Sequence, residues 1–271
     1  QFPELVPQLS SAKSPQQMFG AVMKTYFAEK LGVDPSKIFT VSIMPCVAKK
    51  GECDMDSMRG ATGTNDVDVV LTTREVSRIL MKEHIPAARV EDVAFDRIMT
   101  DYSGAGVIFG TTGGVMEAAL RTAYFKVMGE NPPADLFEEV NGYSAHSDYP
   151  WVEREFELKG TKLRIAVVNS LGHARAVCEA ILRGDVKYDF VEVMACPGGC
   201  SGGGGQPINT EDEERAFSRG MYLHGLDKSM ALRFSHENED VKKLYDDYLG
   251  EPLSERSEEL LHVEHSLEFN R

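Results

Sequence analysis

The sequence predicts an α/β protein of two lobes, each a mainly parallel twisted sheet flanked by helices, with an active site in the cleft between them. Three observations carry this expectation. Strand-sized apolar segments alternate with helix-patterned ones, the order that builds parallel sheets. Two of those strands, 38–44 and 189–195, run straight into a cysteine. Ligands of such sheets collect beyond the carboxyl ends of the strands, where both cysteine loops would fall.

In chain order, residues 14–32 place Met18, Phe19, Val22, Met23, Tyr26 and Phe27 at helical spacing after Ser14-Pro15, and Gly32 marks the end of the helix. Segment 38–44 is rich in β-branched residues and reads as a buried strand delivering Cys46 in a strand-end loop. A second strand at 67–71 leads through Thr72-Thr73 into a capped helix at about 74–83. Glycines 104, 106, 110, 113 and 114 bracket Val107-Ile108-Phe109 and feed a helix at 115–128. Segments 151–158 and 162–168 around Lys159-Gly160-Thr161 predict a hairpin, and 174–183 a helix. Strand 189–195 then ends in Cys196-Pro197-Gly198-Gly199-Cys200. The stretch 216–265 reads as polar helix broken at Gly250-Glu251-Pro252, a surface wrap more than a core.

The chain has 271 residues, 42% of them hydrophobic, and a net charge of −14. That charge repels phosphate backbones and anionic membranes, so nucleic acid is not an expected partner. No apolar run reaches the roughly 18 residues of a membrane helix. The five cysteines, 46, 53, 178, 196 and 200, are unlike a secreted disulfide framework and point to metal-bound thiolates in a reduced, cytoplasmic setting. Gln1-Phe2-Pro3 offers neither an initiator Met nor a signal pattern and reads as an internal starting point.

Cys196 and Cys200 stand four residues apart on a loop that glycines 198, 199 and 202 to 205 leave able to wrap a bulky object. Thiolates are the usual ligands of iron-sulfur clusters, and N–H groups beside small residues can tune them. The plainer readings are unligated thiols in a flexible loop or a zinc site. Zinc pairs are more often C-x₂-C, and no further Cys/His pair at that spacing accompanies this one.

Met44-Pro45-Cys46-Val47-Ala48-Lys49-Lys50-Gly51-Glu52 resembles the signature M-P-C-x-x-K-x-x-E of iron-only (FeFe) hydrogenases. Glu192-Val193-Met194-Ala195-Cys196-Pro197-Gly198-Gly199-Cys200, with Gly203-Gly204-Gly205-Gln206-Pro207, resembles their second signature, E-x-M-A-C-x-x-G-C-x-x-G-G-G-Q-P. Further likeness at 9–17, 102–121 and 235–238 spreads it over essentially the whole chain. The resemblance implies a 4Fe-4S cubane bound by Cys46, Cys196 and Cys200, with Cys200 bridging to a two-iron subcluster that carries CO, cyanide and a dithiolate. Lys49 would donate to a cyanide, with Lys50 left as a surface ammonium. Pro15 and Gln16 would line the two-iron unit, and Met44, Phe109 and Met194 would form its apolar wall, although a methionine there could as well be plain packing. Ser10 and Glu52 match positions in or near the family's proton route. Ser10 could otherwise be a turn hydroxyl, and Glu52 a salt-bridge partner that orients Lys49. Cys53 and Cys178 match no signature position and read as bystanders.

In the family a further motif, T-S-C-[CS]-P-x-W, carries the fourth cubane cysteine and a proton-donor cysteine ahead of the segment matching Leu9-Ser10-Ser11. This chain begins after it, so residues 1–215 are expected to be a catalytic-domain fragment with lobes of roughly 1–125 and 126–215, inactive alone. Residues 216–271 would be a helical extension resembling the hydrogenase small subunit. The implied reaction is reversible reduction of protons to dihydrogen. Its partners would be ferredoxin or a similar electron carrier, maturation proteins, and upstream iron-sulfur domains of the same polypeptide. Two other classes stay open, the hydrogenase-like iron-sulfur assembly proteins, which lack the two-iron unit, and sensory members.

Overall fold

The computed structural model describes residues 1–96, 99, 101–141, 150–207 and 215–265. Its main elements are α1 (Pro15–Val22), α2 (Ala28–Leu31), β1 (Val41–Met44), α3 (Ala48–Glu52), β2 (Val69–Thr72), α4 (Thr73–Lys82), α5 (Gly104–Ile108), α6 (Gly114–Met128), β3 (Val152–Leu158), β4 (Thr161–Asn169), α7 (Leu171–Arg183), β5 (Phe190–Met194), α8 (Arg215–Ser229), α9 (Glu239–Leu244) and α10 (Glu255–Leu261). The chain divides into two units, Gln1–Thr100 with Asp240–Arg271, and Asp101–Glu239. The division therefore falls near residue 100 and not 125, and it splits the C-terminal stretch, of which 266–271 lie outside the described residues.

In the first unit, the predicted helix over 14–32 forms as α1 and α2 joined through a π-helical turn, Met23–Phe27. It stops at Gly32, whose φ of 61° is left-handed. Val22, Tyr26 and Phe27 bury against Leu244, Leu249, Leu260 and Leu261. The last four come from the stretch expected to be a surface wrap, which is corrected here: α9, the turn after it and α10 complete the core of this unit. Their mean polarity conceals the inward leucines. Strands β1 and β2 pair in parallel, with Val41 opposite Val69 and Met44 opposite Thr72. Strand β1 was expected to be buried, yet Val41 and Ile43 are 51% and 58% exposed. Among the described residues this sheet has two strands, and Val41 and Ile43, two positions apart and so on one face of β1, are left uncovered. Helix α4 opens as predicted, with Thr72 and Glu75 in a reciprocal capping box.

In the second unit the strand order is β3-β4-β5, antiparallel then parallel. The expectation of mainly parallel sheet thus holds for β1–β2 and β4–β5 only, because the predicted hairpin supplies an antiparallel edge. Its turn uses Lys159 and Gly160, both at positive φ, 47° and 81°, which suits the strand twist. Strand β4 reads as a continuous apolar run because both of its faces are covered. Ile165 and Val167 pack with Met116 and Leu120 of α6, while Ala166 and Val168 pack with Val177 and Ala180 of α7. This contact with β4 is why α6 belongs to the second unit. Strand β5 is less buried than expected, with Phe190 44% and Val193 46% exposed at the sheet edge. Helix α8 is tied to α6 by a buried charge group. Asp227 accepts from Arg121 Nη1 and Nη2 at 2.9 and 2.8 Å and from Arg233 at 2.6 Å, and Arg121 also donates to Glu117 at 2.5 Å.

Leu249 is 1% exposed within the first unit's core. Leu249→Ala is expected to destabilise the chain by about 2–5 kcal/mol in urea denaturation followed by circular dichroism. An effect below about 0.5 kcal/mol, as at a surface site, would show that the C-terminal helices are a mere wrap after all.

Candidate functional site

In the first unit β1 ends at Met44, and the bend Pro45-Cys46-Val47 leads straight into α3. The thiol of Cys46 therefore sits in a strand-end loop, as predicted, and is half-buried. Helix α3 sets Lys49 and Glu52 one turn apart, and Lys49 Nζ lies 2.8 Å from Glu52 Oε1. The second oxygen, Oε2, accepts from Ser14 Oγ and from Gln16 Nε2, each at 2.8 Å. Burial pushes the Glu52 carboxyl up, but the hydrogen bond and charge of Lys49, with those of Ser14 and Gln16, outweigh it and hold the group below its ordinary value. Glu52 is thus an ionised hub that fixes Lys49, which is the salt-bridge alternative named for it. Ser14 was legible only as a helix-entry residue. Its hydroxyl makes no cap bond and serves the carboxylate instead.

Gln16 is 6% exposed. Its Nε2 is committed to Glu52, and its Oε1 has no partner among the described residues. A buried acceptor left unpaired costs about 1–3 kcal/mol. Gln16 lines an apolar cleft of about 540 Å³ together with Pro15, Phe19, Ile43 and Met44. Three of the predicted lining residues are therefore brought together here. Ser10 is exposed, and its Oγ accepts from Ala12 N at 3.3 Å, the geometry of a turn hydroxyl. No hydrogen bond joins it to Glu52 among the described residues. Lys50 was expected to be a surface ammonium, and its side chain is 39% exposed, but it is also paired. Its Nζ lies 2.9 Å from Glu75 Oε2 and donates to Val70 O at 2.9 Å, tying α3 to β2 and α4. The Glu75 carboxyl falls to about 2, chiefly through the backbone N–H of Thr72 and then Lys50.

In the second unit β5 delivers Met194 and then Cys196, both half-buried. The loop closes on itself through Gly199 N to Cys196 O at 3.0 Å and Gly203 N to Cys200 O at 2.9 Å. It also lies against the turn that precedes α6. Ser201 N donates to Gly110 O at 2.8 Å, and a Cβ on Gly199 would stand 2.6 Å from Thr112 N. Gly199 has a φ of 83°, so no other residue fits there without strain. Helix α8 holds the loop from another side. Arg219 Nη1 donates to Ser201 O at 3.1 Å, and Ser201 Oγ to Ala216 O at 3.1 Å. Phe109, half-buried, leads into the same turn.

No disulfide joins the cysteines. Among the described residues no group of three or more His, Cys, Asp or Glu side chains is gathered as a site for a metal ion. The donors are thiols on strand-end loops, and the Cys196 loop is a glycine cradle with no room for a Cβ at Gly199. That donor set and cradle fit an iron-sulfur cluster better than a single ion, since a cluster spreads its ligands around a larger body. Cys53 is buried, its Sγ donates to Lys50 O at 3.0 Å, and burial pushes its thiol up, as befits an inert structural cysteine.

Residues 1–204 match the model of the iron only hydrogenase large subunit, C-terminal domain, and residues 213–267 that of the iron hydrogenase small subunit. The chain belongs to the iron-only hydrogenase family. It is 44% identical over 263 residues to the NADP-reducing hydrogenase subunit HndD of Solidesulfovibrio fructosivorans, an overlap of 97% of this chain and 44% of that protein. A variant of the [FeFe]-hydrogenase HydA1 from Chlamydomonas reinhardtii is 41% identical in sequence and superposes with a TM-score of 0.77, over 97% of this chain and 71% of that one. Cytosolic iron-sulfur assembly component 3 of Rattus norvegicus is 32% identical over 268 residues, covering 96% of this chain and 54% of that protein. The chain spans about half the length of the curated relatives it matches.

Two holding residues escaped assignment from the sequence, Ser14 and Arg219. Serine before proline signals a helix start, and an arginine on a polar helix signals nothing. Glu52 gives a test with a definite sign. Its carboxyl is depressed in the folded state, so its stabilisation is complete above its ordinary value of 4.5 and is lost as pH falls through the lower folded-state value. The stability gap between wild type and Glu52→Gln, read by urea denaturation across pH, is expected to be widest near neutrality and to close below that value. A gap constant with pH would remove Glu52 from its role as ionised hub.

Proposed function

We propose that this chain contributes the thiolate loops and the cofactor surroundings of an iron-only hydrogenase that interconverts protons and dihydrogen. The observation that carries the reading is the Cys196 to Cys200 loop, a strand-end glycine cradle bearing two thiols, in a chain whose other strand-end loop bears Cys46. Cys46, Cys196 and Cys200 are proposed as ligands of a 4Fe-4S cubane, with Cys200 also bridging to a two-iron subcluster bearing CO, cyanide and dithiolate ligands. When bound, the cubane supplies electron relay and the two-iron unit supplies the open iron position where the chemistry occurs.

The chain's own residues do the rest. Glu52 holds the Lys49 ammonium in a fixed place, at 2.8 Å, from which it can donate to an anionic ligand such as cyanide. Pro15, Gln16 and Met44 line one cleft of the first unit, and they are proposed, together with Phe109 and Met194 of the second unit, as residues that would line the two-iron unit and limit water there. Ser10 and Glu52 are proposed at or near the route by which protons enter. Support for Glu52 there is weaker, because both of its oxygens are occupied by Lys49, Ser14 and Gln16.

Among the described residues no helix is long and apolar enough to cross a membrane. The partners proposed are ferredoxin or a similar carrier, maturation proteins and further iron-sulfur domains, and the compartment the reducing cytoplasm. The assembly-protein reading has less support, since identity falls from 44% to 32% and the Lys49–Glu52 pair is in place.

The test is to produce the chain with a T-S-C-containing segment in front of residue 1 and with the maturation proteins, under anaerobic conditions. Infrared bands of iron-bound CO and cyanide, and hydrogen evolution from a reduced donor, are expected, and both should vanish in Cys200→Ser. Cluster uptake without those bands would favour the assembly reading. Bands with little turnover would favour a sensor, and absence of any iron would overturn the proposal.

A further inference from the structure

Glu192 belongs to the second signature, but the ligand assignment gives it no task. It sits on β5 four residues before Cys196 and is 6% exposed. A buried carboxylate needs compensating donors, and here they are backbone N–H groups. Gly113 N donates to Oε1 and Met116 N to Oε2, each at 2.6 Å. Both oxygens accept from the N-terminal turn of α6, where the helix leaves N–H groups unpaired and the dipole favours negative charge, and these bonds offset part of the burial that pushes the carboxyl up.

What this bond holds is the turn on which the cysteine loop rests. Gly113 has a φ of 87° and its missing Cβ would meet Val140 O at 2.3 Å, so the turn has one permitted course. Thr111 and Thr112 within it are fully buried. Gly110 O receives Ser201 N, and the backbone of Thr111 and Thr112 presses on Gly199. The link therefore runs from the strand that carries Cys196, through a carboxylate, to the turn, and back to the residues on either side of Cys200.

We infer that Glu192 is a positioning residue for the Cys196 to Cys200 loop, fixing through Gly113 and Met116 the turn that seats Gly199 and Ser201. This deepens the proposed function and rests on reading those two thiols as cluster ligands. A simple helix cap would act differently. Its loss would loosen α6 and the core it shares with β4, and so the whole unit. A positioning role loosens the loop and spares the rest.

The cysteines report the difference. Cys178 lies on α7 in the same unit, and Cys46 belongs to the other unit. The full chain, reduced and iron-free, is treated with iodoacetamide, and each cysteine is followed by peptide mass spectrometry. In Glu192→Ala, Cys196 and Cys200 are expected to react about tenfold faster than in wild type, with Cys178 and Cys46 unchanged. Glu192→Gln keeps the volume and one accepting oxygen, and should fall between. If Glu192→Ala does not fold, Glu192→Gln carries the same comparison. Equal rates in wild type and variant, or a parallel rise at Cys178, would overturn the inference. Iron and sulfide uptake by the wild-type chain is measured alongside. No uptake, with Cys196 and Cys200 still responding to the substitution, would sink the cluster reading and leave the positioning role standing. Normal uptake with unresponsive thiols would sink the positioning role alone.

Discussion

A glycine-rich loop that adopts neither α-helix nor strand cannot hydrogen-bond in a regular ladder with itself, so its backbone must be held by its neighbours. That constraint organises the second unit. The loop around Cys196 and Cys200 pairs part of its backbone internally and part with Gly110 O and Arg219, and the Ser201 hydroxyl adds a bond to Ala216 O. Glycine at 199 permits the approach, because a side chain there would collide with the turn before α6. The same glycines that make the loop adaptable thus require external supports, and those supports are hydrogen bonds to rigid elements.

Charges withdrawn from water do comparable work elsewhere. Glu52 joins α3 to the start of α1 through Ser14 and Gln16 and pairs with Lys49 within α3. Lys13 and Asp66, 2.9 Å apart and both almost wholly buried, tie the segment before α1 to the loop ahead of β2. Asp227 gathers Arg121 and Arg233 between α6 and α8. Burial drives the Asp227 carboxyl up, but hydrogen bonds from both arginines, and their charges, pull it below its ordinary value. Removing one partner from such a group costs far more than the group contributes over an apolar equivalent. These clusters act chiefly as geometric specifiers, placing helices that carry site residues.

The C-terminal stretch matches a small-subunit model, yet it is no separate module. Helix α8 packs in the second unit against α5 and touches the cysteine loop through Arg219. Helices α9 and α10 close the core of the first unit around Tyr26 and Phe27. A region that reads as polar helix thus supplies leucines to one core and a loop-holding arginine to the other unit.

Composition and spacing alone determined the strand-end cysteines, the capped helix at Thr72, the hairpin at Lys159-Gly160 and the glycine turn before α6. Each depends on residue type within a few positions, through backbone freedom, β-branching or a cap. Resemblance of the two signatures added the family, and the family model bears it out. Tertiary structure decided what local pattern cannot encode. It brought Ser14 and Gln16 to Glu52, 38 and 36 residues away, sent Leu260 and Leu261 inward, and left Val41 and Ile43 open. It also gave Glu192 its partners at Gly113 and Met116, 79 and 76 residues distant. Hydrogen bonds and burial over such separations belong to the packed chain, because a side chain's own sequence neighbourhood carries no record of the backbone that will close upon it.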